Sequence, residues 1–138
     1  MDFQIEFIQK DHDQYMKKIN LGITGCMGRM GQQLIKSSKT NHNFILKSLT
    51  ENRIISKKFN GIRPELNTED AFKKTDVIID FTVPKCTLEI LRIASKLKKK
   101  VVIGTTGFTQ KEEDLIKKFS RKIPILKACY GLELFHTH

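Results

Sequence analysis

The chain has 138 residues, about one domain of ordinary size. Apolar and aromatic residues make up 39% and charged residues 29%, which excludes wholesale disorder and collagen-like repeats. Lys and Arg exceed Asp and Glu by 25 to 15, a net charge of +10. Two readings of that charge exist, a polyanionic partner or a Lys-rich soluble surface. The second is favoured, because the cations are mostly Lys at helix ends and no aromatic residues are interleaved to stack bases.

No stretch approaches the roughly 18 consecutive apolar residues of a membrane span. Residues 1–18 alternate charges with isolated apolar side chains and lack the apolar core of a secretory leader, so the chain is expected in the cytoplasm. This segment stands outside the alternation of strands and helices in the rest of the chain, and the string M-K-K-I-N-L from Met16 is expected to mark the biological start. The three cysteines, Cys26, Cys86 and Cys129, form no C-x-x-C and read as reduced thiols.

From residue 19 the pattern is regular. Residues 19–24 form a short apolar run ending at Gly25, read as a buried strand, and 28–38 read as a helix with Met30, Leu34 and Ile35 on one face. A second strand spans 44–49. A polar connection over 51–64 carries Gly61 and Pro64 as turn signals. Thr68 caps a short helix with Glu69 and Asp70 in its first turn. The β-branched run 77–81 is a third strand. Pro84 opens a helix reaching about Lys99, and Val101 to Ile103 is a fourth strand. Thr109 and Glu112 form a T-x-x-E capping box for a helix to about Arg121, and 123–128 is a fifth strand. Strands alternating with helices predict an α/β fold, a Rossmann-type parallel sheet with helices on both faces.

The chemistry is concentrated between the first strand and first helix, in Gly25-Cys26-Met27-Gly28-Arg29-Met30-Gly31. Gly25 permits a sharp turn, Gly28 lets a diphosphate approach the backbone, and Gly31 lets the helix pack tightly on the sheet. Amides at the helix start then face the phosphates, and Arg29 adds a cation. Glu51 follows Gly31 by 20 residues and falls just past the second strand, where a carboxylate accepts from ribose hydroxyls. Its charge favours NAD over NADP, while Arg53, Lys57 and Lys58 soften the repulsion of a 2′-phosphate, so the preference stays open. Two further loops leave strand ends at the same edge: Asp80-Phe81-Thr82-Val83-Pro84 and Gly104-Thr105-Thr106-Gly107-Phe108.

The motifs G-x-x-G-R-M-G, D-F-T-x-P and V-I-G-T-T-G-F, in this order and spacing, resemble those of the bacterial dihydrodipicolinate reductases of lysine and diaminopimelate synthesis. The resemblance covers Ile19 to about Cys129. It implies a nucleotide-binding domain over residues 19–129 that takes NAD(P)H, with Gly25, Cys26, Met27, Gly28, Arg29 and Met30 around the diphosphate and Glu51 on the ribose. Asn52 stands where the family has an Arg, which weakens the NADP case. Gly104, Thr105, Thr106 and Gly107 would lie near the nicotinamide ribose, and Phe81 near the nicotinamide. Ala128 and Cys129 open the stretch where the family continues A-N-[F/M]-S-x-G; here Tyr130 replaces the Asn.

The reaction implied is hydride transfer to a cyclic, unsaturated dicarboxylic imine. The family's E-x-H-H-x-x-K motif and second domain have no match in residues 130–138, read as a divergent tail, and His136 and His138 in F-H-T-H are not expected to be catalytic or to hold a metal. The chain alone is therefore expected to bind dinucleotide with an incomplete substrate site and without turnover, as a monomer or weak oligomer. Alternatives are a remnant without function, a basic nucleic-acid module and another two-domain dehydrogenase such as an aspartate-semialdehyde dehydrogenase. The pairing of D-F-T-x-P with G-T-T-G speaks against the last.

Overall fold

The computed structural model describes residues 17–128. The expected start at Met16, the site residue Cys129, and the tail with His136 and His138 lie outside them. Five strands, β1 (Ile19–Thr24), β2 (Phe44–Thr50), β3 (Val77–Asp80), β4 (Lys100–Ile103) and β5 (Ile125–Lys127), alternate with helices α1 (Arg29–Lys39), α2 (Glu69–Lys73), α3 (Pro84–Leu97) and α4 (Gln110–Ser120). All pairings are parallel, in the order β2-β1-β3-β4-β5.

The strands form because runs such as Val77-Ile78-Ile79 are apolar on both sides of the chain, so both faces of the sheet must be covered. On one face Ile19, Leu21, Ile23, Ile79 and Val102 pack with Leu34 and Ile35 of α1. On the other Ile78, Val101 and Ile103 pack with Phe72 of α2, Ile90, Leu91 and Ala94 of α3, and Ile116 of α4. The predicted α/β sheet with helices on both faces is present.

The helix ends show their chemistry. Thr68 accepts from the Ala71 amide, and Thr109 and Glu112 complete a capping box, a cap worth about 1 kcal/mol. The third helix ends at Leu97, two residues before the expected Lys99, because Lys98 turns left-handed (φ 59°) and its amide closes on Ala94 and Ser95. The fifth strand begins two residues after the expected Ile123, since Ile123 still bonds back to Phe119 and Pro124 has no amide to offer. Within the 51–64 connection, Asn60 (φ 52°) and Gly61 (φ 77°) make a two-residue hairpin, with Phe59 and Ile62 exchanging both backbone hydrogen bonds at 2.8 Å. Among the surface cations, Lys73, Lys74 and Lys96 pair with Asp70, Glu65 and Glu69. No helix among the described residues is long and apolar enough to cross a membrane.

Candidate functional site

Strand register builds the site. Thr50, Thr24, Asp80, Ile103 and Lys127 stand side by side as the last residues of five neighbouring strands. The residues after them, Glu51, Gly25, Phe81, Gly104 and Ala128, are therefore brought to one edge. In open α/β sheets ligands bind at this carboxyl edge, in the crevice where the chain switches direction across the sheet. Here that crevice lies between the ends of β1 and β3.

The glycine turn is tightly determined. Gly25 has φ +61°, and a Cβ there would collide with the Phe81 carbonyl oxygen. A Cβ on Gly31 would strike the Gly25 carbonyl and come within 2.7 Å of the Cys26 Cα, so Gly31 packs α1 against the turn itself rather than against the sheet. Gly28 differs. It is exposed, its Cβ would make only an ordinary contact of 3.4 Å, and it forms the N-cap of α1. No side chain caps α1 and no acidic residue stands in its first turn, whereas α2 and α4 are capped by threonines. The start of α1 thus turns its positive end outward with no side-chain cap over it, beside the exposed Arg29.

Glu51 reaches across to this turn. Its Oε2 accepts from the Met27 amide at 2.8 Å, and its Oε1 accepts from the Asn52 amide at 3.2 Å. Cys26 is buried beneath, its amide donating to the Thr50 carbonyl at 3.2 Å. Burial, and then the charge of Glu51, push the Cys26 thiol from 9.0 up to about 12. Burial also raises the Cys86 thiol. A raised thiol keeps its proton near neutral pH, which disfavours either cysteine as a nucleophile.

A cavity of about 260 Å³ opens over the turn, lined by Gly25, Gly28, Glu51, Asn52, Phe81 and Val83 among others. A second, of about 460 Å³, adjoins it between Leu66-Asn67-Thr68 and the start of α3, where Val83, Lys85, Cys86 and Glu89 stand. The two share Glu51, Asn52, Asn67, Val83 and Cys86, so they form one cleft along the sheet edge. Leu66 and Val83 are exposed apolar walls of its outer part. Sequence pattern does not announce this wall; its one local signal is the position of Pro84, which sets α3 against the cleft.

The remaining expected residues are distributed unevenly. Met30 is half-buried in α1. Gly104 is buried under the Phe81 ring, which occupies the space a Cβ would need. Ala128 is buried, its amide donating to the Ile103 carbonyl at 2.7 Å. Thr105 is buried, and Thr106 and Gly107 are exposed beside it. None of these lines either cavity.

Beneath the edge lies Asp80, fully buried. Thr24 and Thr82 donate to its Oδ1 at 2.7 Å each, while Thr87 at 2.5 Å and Thr105 at 3.0 Å donate to its Oδ2. A buried carboxylate is costly unless hydrogen-bonded, and four hydroxyls meet that need. No group of three or more His, Cys, Asp or Glu suited to a metal occurs among the described residues.

Comparison with known proteins places the chain in a family. Residues 19–129 match the family model described as dihydrodipicolinate reductase, N-terminus. The chain is 77% identical over 113 residues to the 4-hydroxy-tetrahydrodipicolinate reductase of Pelagibacter ubique (strain HTCC1062), covering 82% of this chain and 44% of that protein. It is 42% identical over 125 residues to the enzyme of the same name from Buchnera aphidicola subsp. Acyrthosiphon pisum (strain 5A), covering 81% and 46%. The chain therefore spans somewhat under half the length of these relatives. Among solved structures, the dipicolinate-bound dihydrodipicolinate reductase of Paenisporosarcina sp. TG-14 superposes with a TM-score of 0.64 at 23% identity, over 81% of this chain and 47% of that one. A homoserine dehydrogenase of S. aureus superposes with a TM-score of 0.66 at 19% identity, over 83% and 33%, a likeness of fold. With its glycine turn, its Asp80-Phe81-Thr82 strand end and its Gly104–Gly107 loop aligned on one sheet edge, this chain belongs to the dihydrodipicolinate reductase family, whose N-terminal part it matches over residues 19–129.

Proposed function

We propose that the cleft binds NAD(P)H and that the chain is the cofactor-holding part of a 4-hydroxy-tetrahydrodipicolinate reductase of lysine and diaminopimelate synthesis. The observation that carries this reading is the start of α1. Three features coincide there: a helix N-terminus with no capping side chain, an exposed glycine whose missing Cβ leaves the approach open, and a carboxylate held beside it at the end of β2. That combination fits a dinucleotide diphosphate joined to a ribose.

Each residue has a definable task. The positive end of α1 and the Arg29 guanidinium meet the diphosphate charge. Glu51 keeps lone pairs free after accepting from Met27 and Asn52, and these accept from ribose hydroxyls. The adenine would take the outer cleft, whose lining includes the exposed apolar Leu66 and Val83. At the other end, Phe81 closes over Gly104 and gives the nicotinamide an apolar surface, with Thr106 exposed next to it. The residues around the cleft would hold and orient NAD(P)H, which when bound would supply the hydride for the cyclic imine. Glu51 repels a 2′-phosphate and Asn52 offers it no charge, so NADH is the better ligand; the charge of the exposed Arg53, two residues past Glu51, lets NADPH bind as well.

Calorimetric titration of the full chain with NADH and NADPH tests the reading. Saturable binding of NADH, with NADPH weaker, is the expected result. Absence of heat and of nicotinamide fluorescence change with both, at millimolar concentrations and with the chain folded, overturns it.

A further inference from the structure

The Asp80 carboxylate does more than satisfy itself. Its four threonine donors come from four separate places at the sheet edge: Thr24 ends β1 just before the glycine turn, Thr82 follows Phe81, Thr87 lies in the first turns of α3, and Thr105 follows Gly104. Each carboxylate oxygen takes two of them. The ring is closed by the Thr82 amide, which donates to the Thr105 hydroxyl oxygen at 2.8 Å, and by the Gly104 amide, which donates to the Asp80 carbonyl at 2.7 Å. The Thr105 hydroxyl is thereby used as donor to Asp80 and as acceptor from Thr82. It has no proton left for a ligand, and Thr105 is only 4% exposed. Within Gly104-Thr105-Thr106-Gly107, the first threonine faces inward and the second outward.

We propose that Asp80 is a positioning residue for the dinucleotide, which acts through Thr24 on the glycine turn and through Thr105 on the Gly104–Gly107 loop, so that the two ends of one ligand are held at a fixed separation. The proposal deepens the NAD(P)H reading and rests on it. A carboxylate suits the task because it only accepts, so every hydroxyl around it is forced to point inward. An amide in its place would present a donor to two of those hydroxyls and release their orientation.

The arms of the device separate in experiment. ADP engages only the glycine-turn end, whereas NADH engages both. In the full chain, Thr105→Val removes the hydroxyl at the nicotinamide-side loop and leaves the Thr24 arm in place. NADH affinity is expected to fall at least fivefold while ADP affinity stays within twofold. Thr105→Ser, which restores the hydroxyl, is expected to keep both within twofold. Asp80→Asn, where folded, is expected to weaken both ligands at least tenfold. Loss of NADH and ADP affinity in equal measure on Thr105→Val, or loss of neither, overturns the proposal. So does failure of Thr105→Ser to rescue.

Amide hydrogen exchange provides a readout independent of any ligand. Asp80→Asn is expected to speed exchange at Cys26, Thr82 and Gly104 together by tenfold or more; unchanged exchange at these three overturns the positioning role. If the unaltered chain binds neither NADH nor ADP, the dinucleotide reading falls, and the exchange measurement alone decides whether Asp80 couples the loops. If Asp80→Asn does not fold, the Thr105→Val and Thr105→Ser pair decides.

Discussion

The Met27 amide donates to the Glu51 carboxylate at 2.8 Å, tying the turn after β1 to the residue after β2. One side chain thus supports the glycine turn and faces the cleft. The two duties separate by substitution. Glu51→Gln keeps a carbonyl oxygen for Met27, so the melting temperature should stay within about 3 °C of the parent. Glu51→Ala leaves a part-buried amide without its partner, which costs about 1–2 kcal/mol and should lower the melting temperature by several degrees. Both variants should weaken NADH binding. Glu51→Gln also removes the charge that opposes a 2′-phosphate, so the ratio of NADH to NADPH affinity should move about tenfold toward NADPH, a change calorimetry resolves.

The three glycines of the turn should respond to a methyl group in different ways. Gly25→Ala forces an L residue to φ +61° and into the Phe81 carbonyl; the backbone penalty alone is about 1–2 kcal/mol. Gly31→Ala meets backbone atoms of Gly25 and Cys26 that cannot swing aside, an overpacking cost of about 1–3 kcal/mol. Gly28→Ala meets only a 3.4 Å contact and should cost less than about 1 kcal/mol. Its methyl group nevertheless stands where the diphosphate would approach. Chemical denaturation combined with NADH titration should therefore find Gly28→Ala folded and at least tenfold weaker in binding. A Gly28→Ala chain that binds as the parent does would place the diphosphate elsewhere.

Much of this edge is legible in the sequence, for local reasons. A glycine at φ +61° directly after an apolar strand, and Thr109 three residues before Glu112, leave signatures within a few positions of the chain. The place of Glu51 at the sheet edge is legible because its distance from Gly31 is set by one helix and one strand. The Asp80 cage is not legible. Thr24 lies 56 positions from Asp80 and Thr105 lies 25, and only strand register brings them together. The loop pattern points Thr105 at a ligand, yet its hydroxyl is spent inward. Lys98 ends α3 without the glycine that usually marks a left-handed cap, so the apolar stripe overstates the helix. The Asn60-Gly61 hairpin is written in the sequence as a dipeptide with a known preference, of which the glycine alone signals no more than a turn.

Arg53 is the cation that should govern tolerance of a 2′-phosphate. It is exposed, two residues past Glu51, and its charge lowers the Cys26 thiol while that of Glu51 raises it, so both charges act on the same turn. Lys57 is drawn instead over the Phe59 ring, 5.2 Å from its centre. Arg53→Ala should weaken NADPH binding about three- to tenfold and leave NADH within twofold, with the difference shrinking at high salt. Equal loss for both ligands would show that Arg53 serves the diphosphate or the fold.

The Cys26 thiol makes the stability of the chain depend on alkaline pH. In the unfolded chain it ionises near 9.0; in the fold, burial and then Glu51 push it up to about 12. Between these values the folded chain holds a proton that the unfolded chain has released, so raising the pH favours unfolding. Below about pH 9 the thiol is protonated in both states and contributes no pH dependence. Denaturation midpoints measured at about pH 8 and about pH 10.5 should therefore fall further for the parent than for Cys26→Ala, although the alanine variant starts lower because it leaves a small cavity. At about pH 8 the folded thiol should also react with iodoacetamide far more slowly than in denaturant. Equal slopes in the two proteins would mean that Cys26 does not ionise on unfolding in this range, and rapid labelling of the folded chain would mean that the turn opens over it.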